Sequence, residues 1–290
     1  MTITYKLHQS DASTANPGET PENTGQPESA YNYPLVILVH GLTCDGSDWA
    51  AVVANLNQRS FDCMTVDLRG HGASAGLAGP FTIEQSGKDL ADLITAKSLD
   101  NVVLVGHSLG TRVVLACRDR LPEPIRQIVF LDGSCQAQGD PELARQSMQT
   151  LLREPDTTAW MVQKMFEDMF GGTLDAQVSQ QIIQRATNMP TSRVSQLLVD
   201  MHGWDAGELE HALLRLNAAA RTGFSVLQST WLDGSRNRRN MKQGESSDYL
   251  DLLRMKVRRA SIEVLENTGH FIQLEHPERV GDVIVKRFGG

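Results

Sequence analysis

Uninterrupted apolar runs recur along the chain from Leu35 onward, and helical patterns separate them. The runs lie at 35–40, at the start of 61–72, at 101–108, 126–134, 223–230 and 260–267. Runs of this length without polar interruption are typical of strands that are buried on both faces of a parallel sheet. Helical stretches lie at roughly 47–57, 84–97, 110–120 and 277–287. This alternation predicts an α/β fold in which helices cover both faces of the sheet.

The strand pattern disappears between about 137 and 221, where helical periodicity replaces it. In this stretch the i, i+3, i+4, i+7 and i+8 positions of one helix are occupied by Val162, Met165, Phe166, Met169 and Phe170. That spacing places the five side chains on one helix face. We therefore expect a helical insertion over 137–221 that divides a core made of 34–136 and 222–290.

The beginning of the chain differs in composition from the rest. Residues 8–33 are rich in Ser, Thr, Asn, Pro, Gly and Glu and lack apolar periodicity, which predicts a loop or a disordered segment. We expect 1–33 to hold an N-terminal strand followed by flexible polar chain. The first ten residues are polar and lack the apolar core of a signal peptide, so we expect a cytoplasmic protein.

Overall composition excludes some classes of partner. The 290 residues carry a formal net charge of −8, which leaves no basic surface of the kind that binds nucleic acid. No apolar run approaches the roughly 20 residues that span a bilayer. The four cysteines show no tight spacing, which favours buried free thiols over a disulfide framework.

A serine stands between two glycines where the third apolar run gives way to a helix, in GHSLG at 106–110. A residue at such a tight corner projects from the backbone surface, and the glycines let strand and helix approach each other. We expect the Ser108 hydroxyl to be exposed at the carboxyl edge of the sheet. The N–H of Leu109 would point into the helix N-terminus, where unpaired donors collect. This geometry suits a nucleophile beside an anion site.

Four separated motifs resemble those of the α/β-hydrolase family. VHGLTCDGSDW at 39–49 is similar to its oxyanion loop, DLRGHGAS at 67–74 to the loop after its next strand, GHSLG to its nucleophile elbow, and NTGHFIQLEHPERV at 267–280 to the loop of its catalytic histidine. The resemblance implies a mostly parallel sheet of eight strands, of which the first two are poorly marked here. It also implies that 137–221 is a helical cap inserted after strand 6.

A serine nucleophile needs a base within hydrogen-bond reach and a third group that orients the base. Among the eight histidines we favour His270, which follows a predicted strand and matches the family position. Asp132 ends the strand before the insertion, a position that a subset of the family uses for the acid. Asp233 lies nearer the usual position, but in an arginine-rich loop and farther from the histidine than usual. We favour Asp132 and keep Asp233 as the alternative, whose competing role is a salt bridge with Arg236 or Arg238.

The resemblance also implies where the other site groups lie. The backbone N–H groups of Leu42 and Leu109 are candidates for the oxyanion hole. Substrate-binding candidates in the insertion are Trp160, Met165, Phe166 and His202, although such an apolar stripe is more often packed against the core, with one or two residues reaching the cleft. The charged segment 233–248 is expected to be a solvated surface loop.

These observations predict a serine hydrolase that cleaves a small hydrophobic ester or lactone through Ser108, His270 and an aspartate. We expect no cofactor and no metal, because no phosphate loop or metal-ligand spacing occurs. Two alternatives stay open on this fold: a cofactor-free dioxygenase of a quinolone-like heterocycle, and a hydrolase of carbon–carbon bonds. A non-catalytic receptor is a third. The oligomeric state could be a monomer or a homodimer.

Overall fold

A central β-sheet with helices on both faces organises the chain. The computed structural model describes residues 2–10, 33–170, 174–219, 221–235 and 237–288. Its strands are β1 Thr4–His8, β2 Leu35–Val39, β3 Cys63–Asp67, β4 Val102–His107, β5 Ile125–Leu131, β6 Gly223–Gln228, β7 Thr230–Leu232, β8 Arg238–Asn240 and β9 Ser261–Val264. Its helices are α1 Ala50–Asn57, α2 Ile83–Ala96, α3 Gly110–Arg120, α4 Pro141–Leu151, α5 Pro155–Glu167, α6 Ala176–Asn188, α7 Thr191–Gly207, α8 Leu209–Ala218, α9 Asp248–Lys256, α10 Ile272–Glu275 and α11 Pro277–Val285.

The main sheet has the strand order β1-β3-β2-β4-β5-β6-β9, and every neighbouring pair except β1 and β3 is parallel. The predicted mostly parallel α/β sheet is thus confirmed. The main sheet has seven strands within the described residues instead of the expected eight. Two strands were expected before β2, and one, β1, precedes it there. It lies antiparallel at the sheet edge. The remainder of the expected flexible segment, 11–32, lies outside the described residues.

Alternating side chains of each central strand enter two separate apolar layers. In β2, Leu35, Ile37 and Val39 belong to the larger layer, whereas Val36 and Leu38 belong to the smaller one. Both layers are covered by helices, so all five residues of this strand are buried. An apolar strand without polar interruption requires this arrangement, because each face of its pleat must be covered.

The segment between β5 and β6 is helical, as the periodicity predicts. Helices α4 to α8 occupy it, and no strand lies between them in the described part of the chain. Their description as a separate cap domain stays a prediction. Among the described helices, none combines the length and the apolar character that crossing a bilayer demands.

The cysteines agree with the prediction, and the segment 233–248 departs from it. All four cysteines are free thiols, and three of them are buried, as predicted. The expectation of a solvated surface loop at 233–248 is wrong in part. β8 pairs with β7 as an antiparallel ribbon, in which Leu232 lies opposite Arg238, and the Arg238 side chain is only 7% exposed.

Candidate active site

Ser108 occupies the turn between β4 and α3, and its backbone is left-handed, with φ of 53°. Residues other than glycine rarely adopt this conformation, so surrounding contacts must hold it. Ser108 N donates to Leu131 O at 3.0 Å. Ser108 O accepts from Thr111 N at 3.1 Å, Thr111 Oγ1 at 2.7 Å and Arg112 Nη1 at 3.2 Å. These hydrogen bonds fix the strained residue, while its side chain stays half-buried.

The two glycines that flank Ser108 allow an unusually close backbone approach. A Cβ added to Gly106 would lie 2.5 Å from Gly110 O, and one added to Gly110 would lie 2.5 Å from Val39 O. The obstructing atoms belong to the backbone, so they have little freedom to move aside. The glycines are therefore needed where β2, β4 and α3 meet, as GHSLG predicts.

The loop that follows β2 lies against Ser108. A Cβ added to Gly41 would be 3.1 Å from Ser108 Cβ. Leu42 follows Gly41, and Leu109 follows the serine. Neither of their N–H groups donates a hydrogen bond to any described residue. Both leucines therefore have unused backbone donors next to the serine, as an oxyanion hole requires.

His270 lies fully inside the protein, at 1% exposure, in the loop after β9. Its Nδ1 is 2.5 Å from Asp132 Oδ2, so a proton on Nδ1 leaves Nε2 as the basic nitrogen. Its backbone N donates to Met169 O at 2.8 Å, which attaches this loop to the helical insertion. Burial, followed by the charge of Arg238, lowers the pKa of His270 to about 4 despite the aspartate. The imidazole is therefore neutral near pH 7, as a general base must be.

Asp132 follows β5 and is completely buried. Its Oδ1 accepts from Ser229 N at 2.8 Å, Ser229 Oγ at 3.0 Å and Thr230 N at 2.7 Å. Its Oδ2 accepts from His270 Nδ1, Thr230 Oγ1 and Arg238 Nη1. Burial alone would raise the pKa of this carboxyl, but the hydrogen bond to His270 and the nearby positive charges lower it to about 2. Asp132 is therefore an ionised group that is held rigidly beside the imidazole.

A large cavity of about 880 Å³ is lined by residues of α4, α5, α7 and the β7–β8 ribbon. Ser108 and His270 do not line it, and it meets the candidate triad at Arg238, which contacts Asp132. Trp160, Met165 and His202 contribute to its wall, and their role in substrate binding stays a prediction. Phe166 does not line it. Its side chain is 1% exposed and packs in the larger apolar layer, with its ring centroid 6.4 Å from that of Phe271. Phe166 faces the core together with Val162, so the cavity gives its predicted role in substrate binding no support.

Three other buried histidines, His107, His40 and His71, contact backbone groups. His107 Nε2 donates to His270 O at 2.9 Å, and its ring centroid lies 4.6 Å from that of His270. His40 Nε2 accepts from Leu68 N at 3.0 Å, and His71 Nδ1 contacts Arg69 O at 3.1 Å. In the part of the chain that the structure describes, no three His, Cys, Asp or Glu side chains converge as metal ligands would.

A profile of the alpha/beta hydrolase family matches residues 36–283. The chain belongs to the alpha/beta hydrolase family. Its curated relatives include the carbendazim hydrolyzing esterase of Nocardioides sp., 35% identical over 109 residues, 37% of this chain and 45% of that protein. Another is the 2-(acetamidomethylene)succinate hydrolase of Mesorhizobium japonicum, 31% identical over 99 residues, 34% of this chain and 35% of that protein.

The matches therefore span less than half of the length of these curated relatives. Among solved structures, the enol-lactonase of Burkholderia xenovorans superimposes with a TM-score of 0.72 at 18% identity, covering 99% of this chain and 96% of that one. At this identity the likeness concerns the fold.

The two acid candidates of this alpha/beta hydrolase family member occupy very different environments. Asp233 Oδ2 accepts from Arg239 Nε at 2.9 Å, and its Oδ1 accepts from Ser235 N and Asn237 N. Asp233 thus closes its own turn, and it pairs with Arg239 instead of Arg238. Arg236 lies outside the described residues. Asp132 is the acid that contacts His270.

Sequence reasoning missed two arginines of this alpha/beta hydrolase. Arg238 contacts Asp132 Oδ2 at 3.1 Å, and Arg112 is a fully buried side chain that bonds to Ser108 O. Arg112 also forms a two-point ion pair with Asp205 of α7. No pattern in the chain separates these arginines from exposed ones, since burial of a charge depends on a partner that is distant in sequence.

Proposed function

We propose that this chain is a serine hydrolase that cleaves a carboxylic ester or lactone. Ser108 Oγ would attack the carbonyl carbon while His270 Nε2 takes its proton, and Asp132 would orient the imidazole and stabilise its charged form. The observation that carries the proposal is the fully buried contact between His270 Nδ1 and Asp132 Oδ2, at the same sheet edge as the strained Ser108.

The backbone N–H groups of Leu42 and Leu109 would bind the oxyanion of the tetrahedral intermediate. One such donor contributes roughly 3 kcal/mol to the barrier reduction. The protonated His270 then gives its proton to the leaving oxygen, which breaks the carbon–oxygen bond and leaves an acyl group on Ser108. Water, activated by the same imidazole, releases the acid and restores the serine.

The cavity supports a small, largely apolar substrate. Its volume of about 880 Å³ falls in the range of small-molecule sites. Four methionines line it, Met148, Met161, Met165 and Met201, and methionine side chains adapt to irregular apolar groups. One relative is an esterase and one protein of the same fold is an enol-lactonase, which agrees with this substrate class.

The test compares wild type with Ser108→Ala on p-nitrophenyl esters of graded chain length and on lactones. Ser98→Ala is a matched control, because Ser98 has the same φ of 53° on an exposed loop. We expect Ser108→Ala to reduce turnover by about 10⁴-fold or more and Ser98→Ala to leave it unchanged. Mass spectrometry after treatment with a fluorophosphonate should find one adduct, on Ser108. Equal activity of wild type and Ser108→Ala, or no adduct, would contradict the acyl-enzyme mechanism.

A further inference from the structure

Arg238 lies at the boundary between the candidate triad and the large cavity. Its side chain is 7% exposed, and Nη1 donates to Asp132 Oδ2 at 3.1 Å and to Thr230 Oγ1 at 2.5 Å. The same side chain lines the cavity of about 880 Å³ that residues of α4, α5 and α7 also line. It is the lining residue that contacts the Asp132–His270 pair.

Most donors of this guanidinium are unused. Arginine carries five N–H groups in a planar fork, and here Nη1 provides both hydrogen bonds. Nε and Nη2 donate to none of the described residues. Neither atom is among the fully buried polar atoms that lack a partner, so this edge of the guanidinium is open to the cavity. The unused edge of the guanidinium therefore suits an acceptor that enters through the cavity.

The other charged groups of the cavity wall already have partners. Lys164 Nζ lies 2.7 Å from Asp168 Oδ1, and Asp140 Oδ1 accepts from the backbone at the N-terminus of α4. By contrast, the one acidic partner of Arg238 within the described residues, Asp132, also serves His270. Among the charged side chains of the cavity wall, Arg238 thus shares its counter-ion with His270 and keeps the donors of Nε and Nη2 unused.

We propose that Arg238 binds a carboxylate of the substrate, so that the preferred substrates are esters or lactones that carry a second, anionic carboxylate group. This inference rests on the proposed function and deepens it. A planar carboxylate matches the Nε and Nη2 edge of the guanidinium with two parallel hydrogen bonds.

A bound carboxylate would also affect the chemistry. During attack His270 gains a proton, and its positive charge must be stabilised by Asp132. Arg238 opposes this, because it offsets the charge of the same carboxylate. A substrate carboxylate on the outer edge of Arg238 offsets the arginine in turn and makes the imidazolium easier to form. Anionic substrates should therefore show a higher kcat as well as a lower KM.

The experiment compares matched p-nitrophenyl esters of glutaric acid, one with its second carboxyl free and one with it blocked as a methyl ester. Spontaneous hydrolysis is subtracted for each. We expect wild type to favour the free acid by about 10- to 100-fold in kcat/KM, the effect of a charged hydrogen-bonded pair. Arg238→Gln should abolish this preference, and Arg238→Lys should keep part of it. Arg239→Gln is the control, because the neighbouring Arg239 is exposed and pairs with Asp233, and it should retain the preference.

Calorimetric titration of Ser108→Ala with glutarate gives a readout that does not need turnover. Binding is expected in Ser108→Ala and is expected to be lost in Ser108→Ala/Arg238→Gln, with circular dichroism checking that both are folded. Should the Arg238 variants fail to fold, a wild-type preference for the blocked ester, or no binding of glutarate to Ser108→Ala, still overturns the proposal.

The outcomes separate the two proposals. Hydrolysis of the blocked ester with no gain for the free acid would overturn the carboxylate site and leave the serine hydrolase standing. No hydrolysis of either ester and no labelling of Ser108 would overturn the proposed function, while glutarate binding would still report on Arg238. Activation of blocked-ester hydrolysis by free glutarate, without preference for the tethered acid, would make the ligand an effector and refute its assignment to the substrate.

Discussion

The ion pair between Arg112 and Asp205 joins the helix after the candidate nucleophile to the helical insertion. Arg112 Nε lies 2.7 Å from Asp205 Oδ1, and Nη2 lies 2.7 Å from Asp205 Oδ2. The side chains are 1% and 0% exposed. Arg112 Nη2 also donates to Ser134 O at 2.6 Å, and Gln136 N donates to Asp205 Oδ2 at 2.6 Å. The pair is therefore desolvated and extensively hydrogen-bonded.

Removing either partner should destabilise the protein strongly, since the other charge stays buried without compensation. We expect Asp205→Leu and Arg112→Met to lower the free energy of unfolding by about 3–5 kcal/mol each. At about 2–4 °C per kcal/mol, the midpoint of thermal unfolding would fall by roughly 10 °C. The double variant should lose less than either single one, because an apolar pair leaves no unpaired charge.

The measurement is a double-mutant cycle by urea unfolding, followed by circular dichroism and by tryptophan fluorescence. Lys88→Met serves as the control. Lys88 forms an exposed pair with Asp92 on α2, at 52% and 57% exposure, and its removal should change stability by less than about 0.5 kcal/mol. If the two single effects simply add in the double variant, the pair carries no coupling and the reasoning is refuted.

Three further predictions concern the site itself. Asp132→Asn should lower kcat on p-nitrophenyl esters by about 10⁴-fold, whereas Asp233→Asn should change it less than about threefold; the reverse order would reinstate the alternative acid. Because the pKa of His270 is lowered to about 4, kcat/KM should stay level as the pH falls below 6.5 and decline only near 4. A midpoint at 6.5 in the pH–rate profile would contradict the effect of burial on this imidazole. Gly106→Ala would place a Cβ 2.5 Å from Gly110 O and should cost about 1–3 kcal/mol of stability, so an unchanged melting temperature would argue against the close approach.

The central strands could be predicted from the sequence because their burial is a local property of the pattern. Val102 to Val105 are apolar without interruption, and all four are buried. The edge strand β1 was poorly marked for the opposite reason. Its residues are exposed or half-buried, so no apolar run identifies it. Strand count is thus least predictable where a strand has one neighbour and one open side.

The wall of the cavity could be predicted only in part. Helix α5 has apolar residues on two faces, and the pattern does not say which face meets the core. Val162 and Phe166 face the core, while Met161 and Met165 line the cavity. Arg238 escaped prediction because its burial depends on the register of a short β-ribbon, in which it lies opposite Leu232. Long-range pairing of this kind has no signal in a single stretch of sequence.

The hydrogen bond from His270 N to Met169 O has a consequence for the timing of the reaction. In the predicted arrangement the insertion covers the site, so substrate enters only when part of the insertion moves. The segment after α5 holds the backbone of the candidate base. Movement of that segment must either break this hydrogen bond or carry the histidine loop with it. Opening of the insertion and displacement of the His270 loop are then coupled movements. The amide proton of His270 is expected to be protected from exchange with solvent while this hydrogen bond is intact, so its exchange reports on opening of the insertion.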